Sequence, residues 1–350
     1  METSTAMEHL DRMVRRTLSL SQKYGNDEHD DIGWRWARWD WSIGVAFYGI
    51  AQAYDIIRHS GWYEEMQQWI DAKIDSGMNN VSVNSTMLLH TVLSLRERKN
   101  DPKYESICDR YDHYLLEQKR TPSGAIPHYE EAQIWADTLF VSVIYLARRG
   151  AELGEKSYIR EAVKQLILHM TKLKDESSEL YYHGWDDAAS KSLGFLWGRG
   201  NAWITSGAVD ILQYESDDTP EKRLAVGMLN EQLEALARLQ DESGMWRTVL
   251  DQPDSYLETS VTAGVAYGIL KGIRLRLVDE KFKPMAERAI AAVMAKIDAE
   301  GNVQGGSTGT AVQEDLKGYQ TVPLEVTPFT QGLGLLAVSE WIRSEVEAIN

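Results

Sequence analysis

A turn signature that recurs at near-regular spacing constrains this 350-residue chain more than any other feature. Pro122-Ser123-Gly124-Ala125-Ile126, Ser178-Glu179-Leu180-Tyr181-Tyr182, Glu242-Ser243-Gly244-Met245-Trp246 and Ala299-Glu300-Gly301-Asn302-Val303 each run small or acidic residues into a short extended piece. With Gly124, Glu179, Gly244 and Gly301 as equivalent points, the intervals are 55, 65 and 57 residues. Each interval holds two helices of ordinary length with their connections. Gly33 and Gly77 extend the series toward the N-terminus at shorter spacing. About six helical hairpins fit in the chain. Closed on itself, such an array is an (α/α)6 barrel, an all-α toroid; left open it is a solenoid, and the period alone does not separate the two.

Local signals agree with helices. Ala136, Leu139, Phe140, Val143 and Ala147 recur at helical spacing, as do Leu229, Leu233 and Leu236. Asp101-Pro102, Thr219-Pro220 and Thr327-Pro328 each set a capping side chain before a proline suited to the first helical turn. Arg148-Arg149-Gly150 reads as a helix C-terminus. Strand signals are confined to Leu180-Tyr181-Tyr182 and the run from Met245 to Val249. No Gly/Ser linker divides the chain, so residues 1–30 read as an N-terminal helical segment leading into the barrel and 31–350 as a single catalytic domain.

A formal net charge of −16 disfavours binding to nucleic acid or to acidic membrane surfaces. Cys108 is the sole cysteine, which excludes an intrachain disulfide and any cysteine metal cluster. The first sixteen residues contain Glu2, Glu8, Asp11, Arg15 and Arg16 and no apolar core of a signal peptide, so a cytoplasmic location is expected. Twelve tryptophans stand beside only five phenylalanines. An indole offers a flat apolar face and an N–H donor, the combination a sugar ring accepts, although large helical cores use it too.

Four clusters then compete for a function. Gly33-Trp34-Arg35-Trp36-Ala37-Arg38-Trp39-Asp40-Trp41 is either a sugar platform with cation–π support or an aromatic plug in the ring seam. In the run from His128 to Phe140, Asp137 lies where the apolar stripe begins. A carboxyl beside Trp135 and Phe140 is expected to have its pKa raised by desolvation and to serve as a general acid, the alternative being a buried structural aspartate. Arg199, between Gly198 and Gly200 and flanked by Trp197 and Trp203, has room for a bidentate carboxylate, or else pairs with Asp187. Gly305-Gly306-Ser307-Thr308-Gly309-Thr310 lacks the lysine ending and preceding strand of a P-loop and reads as a flexible rim loop. No close histidine ligand pair appears, so neither a metal nor another cofactor is expected.

Several of these segments together resemble the unsaturated glycuronyl hydrolases of glycoside hydrolase family 105, related to family 88. The carriers are Trp41-Ser42-Ile43-Gly44-Val45, Val83-Asn84-Ser85-Thr86, Gln133 through Phe140, His183-Gly184-Trp185-Asp186, Trp197 through Trp203, Trp246 through Asp251 and Tyr256 through Ser260, covering roughly Trp39 to Ala337. The resemblance implies an (α/α)6 barrel acting on lyase-generated oligosaccharides whose non-reducing end is a 4,5-unsaturated uronic acid. It also implies that Asp137 protonates C4 of the double bond, after which water adds at C5 and the hemiketal rearranges to release the next sugar. By the same resemblance His183, Arg199 and Trp203 match active-site positions, with Arg199 on the uronate carboxylate, and Trp41, Asn84 and His128 are read beside them as further substrate-binding positions. The sequence departs from the family in one place. Many members have a second aspartate at or just before the segment equivalent to Val83 through Thr86, where this chain has none from Asn79 to Asn84. Two other readings stay open. An inverting glycosidase on the same toroid would need a second carboxylate about 6.5–9.5 Å from the first, and Asp40, Asp186 or Asp187 could supply it. A non-catalytic sugar-binding toroid would keep the tryptophan cleft without turnover. Oligomeric state, uronate epimer and the neighbouring sugar are not encoded in any motif.

Overall fold

The computed structural model describes residues 3–24, 35–77, 81–129 and 132–349. Six helices whose described side chains are almost wholly buried alternate with six that bury only one face. The buried set is Trp41–Tyr54, Leu89–Arg96 with the 3-10 turn Asn84–Leu88 before it, Ile144–Leu153 with the π turn Leu139–Val143 before it, Gly198–Leu212, Thr259–Arg274 and Pro328–Ile349. The one-faced set is Thr3–Tyr24, Ser60–Asp75, Pro102–Glu117, Lys156–Leu173, Pro220–Leu239 and Lys283–Met294. An all-round apolar helix must sit inside other protein, whereas an amphipathic one faces water on one side. The first set is therefore the inner ring and the second the outer ring.

The ring is closed. Each inner helix packs on the next, and Pro328–Ile349 returns to pack along Trp41–Tyr54. Glycines set that seam: a Cβ at Gly332 would collide with the Val45 carbonyl, and one at Gly49 would lie 2.6 Å from the Gly332 carbonyl. The expected (α/α)6 barrel is thus present, and the open solenoid is not. Thr3–Tyr24 packs on Pro328–Ile349 and Trp41–Tyr54 and is itself an outer helix of the ring.

The four equivalent turns share one geometry. Gly124, Glu179, Gly244 and Gly301 have φ of 94°, 66°, 85° and 90°. In each, the N–H of a residue three or four before it reaches the carbonyl just after it, as Asp241 does to Met245 and Asp298 to Asn302. Each turn leads from an outer helix toward the next inner one, so the turns share the rim where inner helices begin. Asp101, Thr219 and Thr327 cap as expected. Gly150 does not end its helix; the chain runs on to Leu153 and stops at Gly154, whose φ of 70° provides the left-handed cap. The strands also differ from expectation. Leu180-Tyr181-Tyr182 makes only a bridge at Tyr181, and pairing instead joins Gln133–Trp135, Gly184–Asp186 and Lys191–Leu193 antiparallel, with Trp246–Arg247 on Leu257–Glu258.

Candidate active site

The short sheet decides which rim residues meet. Trp135 lies opposite Gly184, and the Ala136 N–H donates to the His183 carbonyl at 3.0 Å. That register sets Asp137 beside His183. Their facing atoms, Oδ2 and Nε2, are 3.4 Å apart, and neither has a closer partner among the described residues. The contact is long for a hydrogen bond, as catalytic pairs often are before substrate arrives. Asp137 opens the inner helix immediately before the π turn Leu139–Val143, a distortion that frequently marks functional sites.

Aromatic rings wall this pair. Trp135 stacks on His128 at 4.8 Å and meets His183 at 5.2 Å, while Trp197 lies 4.1 Å from His183 on its other side. Trp41, half-buried, rests on Phe329 at 4.6 Å and meets Trp203 edge-on at 6.3 Å. Trp203 is fully buried under Phe140, at 4.8 Å, and forms the floor. Asn84 donates to the hydroxyl of Tyr129 at 2.6 Å, and Tyr129 stays 65% exposed at the rim. His128 bonds through Nδ1 to the Thr138 hydroxyl at 2.9 Å. Trp41, Asn84, His128, His183 and Trp203 therefore line, frame or floor one region around Asp137.

Among the described residues, several buried polar atoms without partners lie close together here: Asp137 Oδ2, His183 Nε2, Trp197 Nε1, Arg199 Nε and Trp203 Nε1. Folded proteins leave few such atoms unpaired, so a cluster of them marks where water or a ligand completes the bonding.

Electrostatics correct one expectation. Burial pushes the Asp137 carboxyl up, but the His183 contact and the charges of His183, His128 and Arg199 outweigh it, and the net direction is below the ordinary carboxylate value. Burial holds His128 down at about 4 and lowers His183 as well. Both imidazoles are then neutral near pH 7, where the carboxyl retains the His183 contact but not a histidine charge.

Arg199 is placed differently from the sequence reading. Its guanidinium is 1% exposed and reaches the Ser307 hydroxyl at 2.6 Å, the Ser307 and Thr308 carbonyls at 3.0 and 2.8 Å, and the Thr310 hydroxyl at 3.1 Å. Glu258 is 3.8 Å away, caps the next inner helix and accepts from the Ser307 N–H at 2.6 Å. The flanking glycines serve close packing: a Cβ at Gly198 would lie 2.5 Å from the Arg247 carbonyl, and one at Gly200 would lie 3.1 Å from Trp197. Arg199 thus anchors the 305–310 loop, which is tied down where flexibility was expected, with Ser307 and Thr308 buried. Nor does Arg199 pair with Asp187, which accepts from Ser123 N–H at 2.7 Å and from Lys172 at 3.1 Å.

The tryptophan-rich segment resolves mostly toward packing. Trp36 and Trp39 are buried, Trp39 donates to the Tyr111 hydroxyl at 2.9 Å, and Arg35 pairs with Glu325 at 2.6 Å. Gly33, Trp34, Asn79 and Asn80 lie outside the described residues. Of the alternative second carboxylates, Asp187 is tied as above, Asp186 accepts from the N–H groups of Ala188 and Ala189, and Asp40 caps Trp41–Tyr54 by accepting from the Trp41 N–H. No group of three or more His, Cys, Asp or Glu side chains that could hold a metal occurs among the described residues. No described helix is long and apolar enough to cross a membrane. Sequence reasoning missed Tyr319, whose hydroxyl meets His183 Nδ1 at 2.7 Å.

Residues 10–345 match the family model for Glycosyl Hydrolase Family 88. The chain is 31% identical to the unsaturated rhamnogalacturonyl hydrolase YesR of Bacillus subtilis, over 96% of this chain and 94% of that protein. A crystal structure described as a possible member of the GH105 family, from Salmonella enterica, superimposes with a TM-score of 0.91 at 30% identity, covering 99% and 95% of the two chains. The unsaturated glucuronyl hydrolase of Bacillus sp. GL1 shares the fold, with a TM-score of 0.74 at 18% identity over 96% of each chain.

Proposed function

The chain belongs to glycosyl hydrolase family 88, and on that premise we propose that it removes a 4,5-unsaturated uronate from the non-reducing end of a rhamnose-containing oligosaccharide by adding water across C4=C5. It is a glycoside hydrolase. The rhamnose in this proposal rests on YesR and on an unsaturated 3S-rhamnoglycuronyl hydrolase of Alteromonas, 25% identical over 59% of this chain and 51% of that one.

The single observation that carries the hydration reading is one part-buried carboxyl, Asp137, whose Oδ2 faces an imidazole, while Asp40, Asp186 and Asp187 are engaged in caps, turns and an ion pair. An enol ether needs only one such group. The anionic uronate brings a like charge beside Asp137, which raises its pKa and loads its proton. Asp137 passes that proton to C4, and positive charge develops between C5 and the ring oxygen. The resulting carboxylate then takes a proton from the water that adds at C5, which restores the acid. The C5 hemiketal opens to a ketone, and the anomeric carbon releases its neighbour. His183 steadies Asp137 in both protonation states, Trp41 offers a ring face, and Asn84 with Tyr129 frames the exit toward the neighbouring sugar. Arg199 shapes the wall through the 305–310 loop. The enzyme works without a metal and in the cytoplasm.

The test uses lyase-generated oligosaccharides of pectic, ulvan-type and glycosaminoglycan origin. The expected result is loss of the ultraviolet absorbance of the unsaturated uronate together with release of a rhamnose-ended product. Cleavage of a saturated substrate instead would favour an inverting glycosidase, and binding without product would favour a sugar-binding toroid.

A further inference from the structure

Tyr319 belongs to a five-residue helix, Leu316–Gln320, in the segment between the last outer and last inner helices. It is fully buried. Its hydroxyl is 2.7 Å from His183 Nδ1, and a Cβ at Gly194, where φ is 71°, would collide with that hydroxyl. Gly194 therefore supplies both the backbone turn and the space that let a distant tyrosine reach the histidine.

The protons on this contact can be assigned by counting donors. The Gln313 N–H donates to the Tyr319 oxygen at 3.4 Å. With its oxygen already facing a donor, the hydroxyl has its own hydrogen left to give. Among the described residues, Nδ1 is the acceptor it meets. Burial pushes the Tyr319 phenol upward, so it holds its proton throughout the working range. A neutral imidazole that accepts at Nδ1 carries its hydrogen on Nε2.

We propose that Tyr319 is a positioning residue that fixes the tautomer of His183, so that Nε2–H is presented to Asp137 Oδ2. This deepens the hydration reading and rests on it only for what Asp137 does with the contact. The opposite tautomer would face a lone pair against the carboxylate and push the two apart. A protonated His183 would hold Asp137 ionised and keep the acid unloaded, so the working state needs His183 neutral. The ionisable groups around His183 are Asp137, Tyr319, Arg199 and His128. Arg199 and burial favour the neutral form, Asp137 favours the charged one, and a hydrogen bond donated to Nδ1 adds to the neutral side.

The test is nitrogen-15 spectroscopy of the His183 ring in the substrate-free protein, with His183→Gln used to assign its signals. Near neutral pH the wild type should show Nε2 protonated and Nδ1 bare. Tyr319→Phe, which keeps the ring and its packing, should show mixed tautomers. The acid limb of its kcat/KM profile should move up by about half to one pH unit. Its kcat should fall about tenfold while KM stays within about threefold, the pattern of a lost transition-state interaction. A wild-type ring carrying its hydrogen on Nδ1 would overturn the proposal without any variant. A Tyr319→Phe protein that melts earlier but keeps the wild-type tautomer and acid limb would reduce Tyr319 to packing. Because the tautomer is read without substrate, its outcome is separate from whether the uronate is hydrated or displaced.

Discussion

The two ends of the inner ring use the same kinds of side chain to opposite effect. Toward the C-terminal ends of the inner helices, Asp210 accepts from Tyr267 at 2.8 Å, from Tyr48 at 3.1 Å and from Lys271, so both its oxygens are bonded. Glu340 is likewise bonded by Arg274 and Arg343 through both oxygens. At the other end, Asp137 and His183 face each other at 3.4 Å, with unpartnered indole and guanidinium nitrogens close by. Burying a charge is costly unless it is fully paired, and Asp210 and Glu340 meet that condition. The Asp137 end leaves bonds to be completed by substrate. The difference teaches that buried ionisable groups mark function only where their partners are incomplete.

That contrast breaks cleanly by mutation. Asp137→Asn removes the transferable proton with little change in shape. Its kcat should fall by at least the ~10²–10⁴-fold that general acid–base catalysis commonly provides, with the melting temperature unchanged or slightly raised. A variant with near-normal kcat would remove Asp137 from the chemistry.

At the paired end the order reverses. Asp210→Ala strands Lys271 in the core and should cost about 3–5 kcal/mol in denaturant unfolding, while the folded fraction keeps its kcat. Adding Lys271→Met should restore much of that loss, since replacing both partners of a buried pair is often neutral. An Asp210→Ala protein of normal stability would show that the pairing there is incidental.

The smallest effect is expected at the boundary between the two behaviours. Arg199 is bonded through both terminal nitrogens, like the far end, yet its Nε is unpartnered and it borders the site. Arg199→Lys keeps the charge but loses the fork that grips the 305–310 loop, and should cost about 1.5–3 kcal/mol of stability. Hydrogen exchange should quicken at Ser307 and Thr308. A large rise in KM with unchanged exchange would return Arg199 to the role of holding the substrate carboxylate.

Which features could be read from the sequence follows from how local their causes are. The turns at Gly124, Glu179, Gly244 and Gly301 were legible because each is built within a few residues, and the caps at Asp101 and Thr219 for the same reason. Asp137 and His183 could be singled out, but not their pairing, which depends on strand register between Trp135 and Gly184. Ring closure depends on Gly49 meeting Gly332, far apart in the chain. The 305–310 loop looked free because its anchor, Arg199, lies more than a hundred residues earlier. Tyr319 left no local signal at all; only the fold brings it to His183. Desolvation alone points the Asp137 shift upward, and the His183, His128 and Arg199 groups that reverse it are brought beside it only by the fold.

The central claim is that Asp137 delivers a proton to carbon. Turnover of an unsaturated uronate oligosaccharide in heavy water, followed by early sampling of the released keto acid by mass spectrometry and NMR, tests it directly. Hydration predicts one deuterium at C4 from the first turnovers, because the acid proton exchanges with solvent before it is transferred. An early product with no deuterium at C4 would contradict the account and leave displacement at the anomeric carbon as the reaction.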